Sequence, residues 1–207
     1  MTVIIDYGVG NLFSLKSSFG AIGEPVSVSS DKDEILNAER IVLPGVGAFG
    51  DAAAKLKSTG LDEVIKQAAK SGTPVLGVCL GMQLLFDKSY EYGEFSGLGL
   101  VSGEIRPIAD FIPKGLKIPQ MGWNKLRIKK AHPLLKYTTE NDYAYFVHSY
   151  CATDCTESVI ADVEYGAEIT AAVAKSSVMG CQFHPEKSGK SGLNILKAFT
   201  ELKRGDL

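Results

Sequence analysis

Long apolar runs are missing from this chain of 207 residues. None approaches the ~20 residues that a membrane-spanning helix needs, so a transmembrane helix is excluded. Cysteine is scarce: four residues are too few for a disulfide-stapled scaffold. An excess of positive charge is missing too. Lys and Arg number 22 against 24 Asp and Glu, for a net charge of −2, which argues against general nucleic-acid binding. The first residues, Met1-Thr2-Val3-Ile4-Ile5-Asp6, carry no basic region before their apolar stretch. They do not form a signal peptide, and the cytoplasm is the expected compartment. No repeat at a 20–50 residue period and no low-complexity tract interrupts the chain.

What is present is an ordinary globular composition, 45% hydrophobic and 22% charged. A chain of this length buries roughly 70–75% of its unfolded surface, enough for a core without staples. The first eighty residues alternate short β-rich runs with helical patterns. Val3–Ile5, Pro25–Val28, Ile41–Leu43 and Pro74–Val78 read as strands. Leu12, Leu15, Phe19 and Ile22 recur at helical spacing, Asp31 is placed to cap a short helix, and helical patterns return at 51–57, 61–70 and from Met82 to Phe86. Strands separated by helices imply right-handed crossovers and a parallel sheet covered on both faces.

The second half changes character. Leu98–Val101, Glu104–Ile108, Lys125–Ile128, Tyr143–Tyr150, Ser158–Glu164, Ile169–Ala174 and Val178–Phe183 read as strands, divided by turns more than by helices. Gly189–Lys203 closes the chain as a helix. No linker separates the halves. The expectation is one α/β domain over 1–207, with a mixed, mainly parallel central sheet flanked by helices and antiparallel additions in the C-terminal half.

Gly77-Val78-Cys79-Leu80-Gly81 carries the chemistry. Gly-x-nucleophile-x-Gly between a strand and a helix is the pattern of a nucleophile elbow. A tight turn requires small flanking residues and leaves the cysteine at a helix N-terminus, where free N–H groups and the helix dipole favour thiolate. The N–H of Leu80 is a candidate oxyanion donor. The bland alternative is a buried cysteine beside two packing glycines. A cysteine nucleophile also needs a base and a group to orient it. Of three histidines, His132 sits in a polar turn and His148 within a strand, while His184 ends a strand with Glu186 two residues on. Strand alternation directs those two side chains to one side, which makes His184 the base and Glu186 its orienter.

Two other motifs compete. Gly45-Val46-Gly47-Ala48-Phe49-Gly50 fits G-x-G-x-x-G after a strand, but the acid that a dinucleotide site requires about 20 residues later falls within a helical pattern. In Gly8-Val9-Gly10-Asn11-Leu12-Phe13 the third glycine is Phe13. The better use of Pro44–Gly47 is as a second oxyanion wall, because glycines let a peptide turn its N–H inward. Cys181 and His184 have C-x2-H spacing, but positions i and i+3 of a strand face opposite sides; no metal and no cofactor is expected. Cys151 and Cys155 read as small core residues. Lys125, Arg127, Lys129 and Lys130 read as a solvated strand edge, with a phosphate- or partner-facing patch as the alternative.

Taken together, Pro44–Gly47, Gly77-Val78-Cys79-Leu80-Gly81-Met82-Gln83 and Phe183-His184-Pro185-Glu186 resemble the class I (triad) glutamine amidotransferases over nearly the whole chain. Asp6–Leu12, Gln120-Met121-Gly122-Trp123-Asn124 and the Lys187-Ser188 that follows the His-Pro-Glu are similar to the glutaminase subunits of imidazole glycerol phosphate synthases. The resemblance implies hydrolysis of L-glutamine by Cys79, His184 and Glu186. It implies an oxyanion hole from Leu80 and the Val46–Gly47 region, and Gly47, Gln83, Ser149 and Tyr150 near bound glutamine. His148 has no catalytic role in it. It further implies that ammonia passes to a (βα)8-barrel cyclase subunit, as a heterodimer, with Asn11, Trp123, Tyr145 and Lys187 on the partner side. Once the glutamine site is assigned, the chain has no evident phosphate-binding site left for an acceptor nucleotide, and a partner is expected to supply it. The competing readings are an amidotransferase for another acceptor, a stress-type elbow-cysteine protein, and a dinucleotide-binding enzyme.

Overall fold

A computed structural model describes residues 1–140 and 142–206; of the expected 1–207 span, Asn141 and Leu207 lie outside the described residues. The first eighty residues form β1 (Thr2–Ile5), α1 (Leu12–Ala21), β2 (Val26–Ser29), α2 (Lys32–Leu36), β3 (Arg40–Leu43), α3 (Phe49–Thr59), α4 (Leu61–Lys70), β4 (Val75–Val78) and α5 (Leu80–Leu84). The remainder forms β5 (Phe86–Ser89), β6 (Phe95–Ser96), β7 (Val101–Pro107), β8 (Gln120–Lys125), β9 (Arg127–Ile128), β10 (Tyr143–His148), β11 (Tyr150–Thr153), β12 (Val159–Glu164), β13 (Glu168–Lys175), β14 (Val178–Cys181) and α6 (Gly189–Thr200).

The central sheet runs β2-β1-β3-β4-β14-β13-β12-β9. Its first five strands are parallel, and β13, β12 and β9 continue it antiparallel. The expected mixed α/β architecture is present. The buried strands divide their side chains between two cores. Ile4, Val42, Leu76 and Val78 pack with Leu15 and Phe19 of α1 and with Ile195, Leu196 and Phe199 of α6. Val3, Ile5, Ile41, Leu43 and Val75 pack against Ile35 of α2, Phe49 and Leu56 of α3 and Val64 and Ile65 of α4. Both faces of the sheet are covered, so both residue sets along each strand must be apolar. That explains the continuous hydrophobic runs.

The C-terminal half departs from its expected outline. β14 joins the parallel strands directly, beside β4. Several other strands do not extend the central sheet: β10 and β8 form a two-stranded ribbon, and β11, β7, β5 and β6 form a second sheet. Of the expected strands at 98–101 and 104–108, residues 98–100 are irregular, and Val101–Pro107 form the single strand β7. The helix expected to reach Phe86 stops at Leu84, and Phe86 opens β5 opposite Val101. Leu84, Leu85 and Phe86 are all buried, and such a short apolar run does not distinguish helix from strand. The run 143–150 breaks at Ser149, so that β10 and β11 serve different sheets. β8 was not anticipated, because its Met121 and Trp123 face outward.

Of the basic residues, Arg127 lies on β9 at the sheet edge with Lys129 and Lys130 just after it, whereas Lys125 ends β8 in the ribbon; the charges of Arg127 and Lys129 are committed. Arg127 contacts buried Asp162 at 2.6 Å and Glu168 at 3.2 Å, and Lys129 contacts the same two carboxylates at 3.1 and 3.5 Å. A free phosphate patch is thereby ruled out at these two residues.

Phe199 is fully buried under the sheet. Phe199→Ala is expected to lower stability by about 3–5 kcal/mol, read as a shift of the urea midpoint at unchanged slope.

Candidate active site

Strand β4 delivers Cys79 into a turn with φ 53° and ψ −112°, and α5 begins at the next residue. A non-glycine residue in that region stores about 1–3 kcal/mol of strain and persists only where its surroundings over-determine it. Here the Cys79 N–H donates to the Cys181 carbonyl at 2.8 Å, continuing the β4–β14 ladder, and the Cys79 carbonyl accepts from the Gln83 N–H at 3.2 Å. The flanking glycines are required by contact. A Cβ on Gly81 would lie 1.9 Å from the Leu43 carbonyl oxygen, and one on Gly77 would lie 2.6 Å from the Gly81 carbonyl oxygen. The turn is packed backbone on backbone. As the first residue of α5, Leu80 has no intrahelical acceptor for its N–H.

His184 follows β14 and its N–H donates to the Tyr145 carbonyl at 3.0 Å. Its Nδ1 lies 2.8 Å from Glu186 Oε1, and both side chains are almost completely buried. The expected pairing is present, but strand alternation does not cause it. Residues Pro185–Lys187 form one turn of 3-10 helix, which folds the carboxylate back onto the ring. Ser188 secures this turn: its Oγ donates to the His184 carbonyl at 2.6 Å and accepts from the Tyr145 N–H at 2.9 Å. Burial opposes charge on His184, but hydrogen bonds to Cys79 and Glu186 outweigh it and carry the pKa up to about 9.

These groups meet at a cavity of about 330 Å³. Cys79, His184, Leu80, Val46, Gly47, Gln83, Ser149 and Tyr150, all expected at the site, line it; Glu186 sits behind His184. Segment 44–48 is held at both ends. Tyr7 Oη donates to the Pro44 carbonyl at 2.8 Å, and the Phe49 N–H donates to Glu91 Oε2 at 2.6 Å. Between these anchors Gly47 has φ +91° and open space around it, and Val46 is 43% exposed. Cys181 is fully buried, with its Sγ donating to the Gly77 carbonyl at 3.8 Å.

The expected partner-side residues separate. Trp123 is half exposed and packs edge-to-face on Tyr145 at 5.9 Å. Lys187 lines the cavity itself. Asn11 caps α1, its Oδ1 accepting from the Ser14 N–H at 3.4 Å, which gives it a structural duty. The ribbon register pairs Trp123 with Tyr145, Met121 with Val147 and Lys125 with Tyr143, so these residues share one face. Met121, Trp123 and Tyr143 are exposed on it, and Val147 at its far end lines the cavity.

Two site residues escaped the sequence reading. Glu91, from the β5–β6 loop, lines the cavity, and burial raises its carboxyl pKa against the Phe49 N–H bond. Nothing local in its loop announces this. Gln182 is fully buried beside the nucleophile, its Nε2 3.8 Å from Cys79 Sγ. Its position two residues before His184 was the available signal.

A buried thiol beside an imidazole–carboxylate pair and a free helix N-terminus can perform covalent acyl transfer. The model of the family described as glutamine amidotransferase class-I matches residues 3–202. The imidazole glycerol phosphate synthase subunit HisH of Lactococcus lactis subsp. lactis (strain IL1403) is 50% identical over 200 residues, covering 96% of this chain and 97% of that protein. The protein of the same description from Caldanaerobacter subterraneus subsp. tengcongensis is 49% identical over 203 residues, covering 98% of each. Among solved structures, PurLQS from Thermotoga maritima superposes with a TM-score of 0.77 at 18% identity, over 97% of each chain. A crystal structure of a glutamine amidotransferase superposes with a TM-score of 0.75 at 17% identity, over 96% of this chain and 97% of that one.

The two buried histidines give stability opposite pH slopes. With a folded pKa of about 9, His184 holds its proton where the unfolded residue, near 6.5, has lost it. Its contribution is complete below pH 6.5 and is lost as pH rises through 9. Burial lowers His148 to about 4, so stability falls as pH drops from 6.5 to 4. Each slope is at most about 1.4 kcal/mol per pH unit. Urea unfolding across pH 4–9.5 is expected to show the high-pH slope shrink in His184→Asn and the low-pH slope shrink in His148→Asn.

Proposed function

Because this chain belongs to the class-I glutamine amidotransferase family, we propose that it is the glutamine-hydrolysing subunit of an imidazole glycerol phosphate synthase. The observation that carries this reading is the strained Cys79 opening on one cavity with His184, whose ring is held 2.8 Å from Glu186. Cys79, having passed its thiol proton to His184, attacks the side-chain amide carbon of glutamine as the thiolate. The oxyanion is met by the Leu80 N–H and by a peptide N–H of the Val46–Gly47 segment. His184 returns the proton to the departing ammonia, leaving a glutamyl thioester on Cys79. Water, deprotonated by His184, then releases glutamate. Glu186 orients the ring and stabilises its charge.

Glutamine carries an ammonium group, and Glu91 supplies a carboxylate on the cavity wall. Gln83 contributes its Oε1, because its Nε2 is already bonded to the Tyr150 carbonyl and to Gln182. Gly47, Ser149 and Tyr150 form the remaining wall around the substrate.

The ammonia goes to a (βα)8-barrel cyclase subunit, which converts a ribulosyl aminoimidazole carboxamide nucleotide into imidazole glycerol phosphate and aminoimidazole carboxamide ribotide for histidine synthesis. Free ammonia protonates in water and is then no nucleophile, so the partner must seal the exit. The ribbon face bearing Met121, Trp123 and Tyr143 supports docking there, since it is apolar, exposed and continuous with the cavity through Val147. Segment 44–48, anchored at both ends and unobstructed at Gly47, is suited to complete the oxyanion hole only in the assembled enzyme. The cytoplasm suits this chemistry: among the described residues no helix is long and apolar enough to cross a membrane, and all four cysteines are free thiols.

Mixed with the barrel subunit and its nucleotide, the chain is expected to support glutamine-dependent cyclisation. Cys79→Ala is expected to abolish glutamine use and to retain ammonia use. Loss of both activities would contradict this division of labour. Glutaminase turnover is expected to rise when partner and nucleotide are added, and equal turnover with and without them would remove the oxyanion-switch reading. Co-purification with a chorismate-binding enzyme instead would point to another acceptor.

A further inference from the structure

A chain of buried hydrogen bonds ends on the nucleophilic sulfur, and its polarity is determined at the other end. The Tyr150 carbonyl can only accept. Gln83 Nε2 lies 3.2 Å from it, and His148 Nδ1 lies 2.8 Å from the same oxygen. The carbonyl therefore orients the Gln83 amide with its nitrogen inward and fixes the proton of His148 on Nδ1. The second hydrogen of Gln83 Nε2 reaches Gln182 Oε1 at 2.9 Å. The Gln182 amide must then present its nitrogen to Cys79 Sγ, 3.8 Å away. Gln182 is fully buried and its backbone N–H is held by the Ala171 carbonyl at 2.8 Å, so it has little freedom to turn.

We propose that Gln182 is a catalytic residue, donating an amide hydrogen to the Cys79 thiolate, and that His148, the Tyr150 carbonyl and Gln83 are the positioning groups that hold that amide donor-forward. This rests on Cys79 being the nucleophile of glutamine hydrolysis. A buried thiolate is costly unless it is hydrogen-bonded, and bonds to a charged acceptor are the strong ones. The donor also aims the sulfur, because Gln182, just after β14, is fixed by its backbone bond to Ala171. Once the thioester forms the sulfur is neutral, the bond weakens, and the stabilisation is lost from the intermediate. His148 thereby has a duty without acid–base chemistry: neutral and Nδ1-protonated, it shares the carbonyl that orients the chain.

The groups around Cys79 that could otherwise set its reactivity come from several elements. His184, with Glu186 behind it, lies after β14, Tyr7 lies after β1, Cys181 lies on β14, and Glu91, His148 and Lys187 line the cavity. A test must leave these in place. Gln182→Glu keeps the acceptor that faces Gln83 but turns the donor toward sulfur into an acceptor. Gln83→Glu leaves Gln182 intact but replaces the donor that orients it, so the Gln182 amide reverses and offers its oxygen to the sulfur.

The measurement is the rate of iodoacetamide alkylation of Cys79 at pH 7, read by peptide mass, together with kcat and KM for glutamine. Both variants are expected to slow alkylation about tenfold or more. Gln182→Glu is expected to lower kcat at least as much with KM little changed. If Gln182 merely held Gln83 in place, Gln182→Glu would be alkylated at the wild-type rate, and that result overturns the proposal. Wild-type alkylation in Gln83→Glu overturns the positioning chain, whether or not Gln182→Glu folds. Glutamine protection of wild-type Cys79 is read separately: its absence overturns glutamine as the substrate, while the rate ratios still decide the role of Gln182.

Discussion

The contact on which the site depends is backbone against backbone: Gly81 lies so close to the Leu43 carbonyl that no Cβ fits between them. That approach lets α5 start immediately after β4, and it forces Cys79 into the left-handed turn that puts its sulfur at the cavity. The strain is held because β14 lies alongside and accepts the Cys79 N–H. One strand therefore does two things. It locks the Cys79 backbone, and its continuation delivers Gln182 and His184 to the same sulfur. The two apolar cores on either side of the sheet supply the rigidity that such a turn requires.

Electrostatics follows from this placement. His184 is nearly inaccessible to water, so its charge depends on Glu186 and Cys79 rather than on solvent. His148, on β10 and lining the same cavity, has no such partner. Its Nδ1 is bonded to a carbonyl, and burial keeps it neutral. The same side chain thus keeps its proton against burial in one setting and stays neutral, with Nδ1 on a carbonyl, in the other. The difference lies in what faces each ring, not in exposure, since both are buried.

Much of this was legible in the residues. Alternating apolar strands and helical patterns in the first eighty residues report a sheet covered on both faces, and the observed two-core packing has that form. The elbow was legible because Gly77, Cys79 and Gly81 are neighbours in sequence, and the His184–Glu186 pair because the two are only two residues apart. Strand alternation is nevertheless not what pairs them: a 3-10 turn brings the carboxylate back. The second half was less legible. Exposed Met121 and Trp123 conceal β8, and Ser149 divides what reads as one strand between two sheets. Arg127 and Lys129 look like free surface charge until Asp162, more than thirty residues away, is placed beneath them.

The amino-acid order by itself determined the fold class, the elbow cysteine and the His-Glu pair, because each is written in short-range spacing: a period of two or 3.6, a Gly-x-Cys-x-Gly, a His-x-Glu. Only the tertiary structure decided what surrounds them. Glu91 reaches the cavity from a loop and caps α3 at Phe49 from 42 residues away, and Gln83 meets Gln182 across 99 residues. Such pairings depend on the register of β14 against β4 and on the break at Ser149. Those are properties of packed strands, fixed when both faces of the sheet are buried, and no local stretch of sequence carries them.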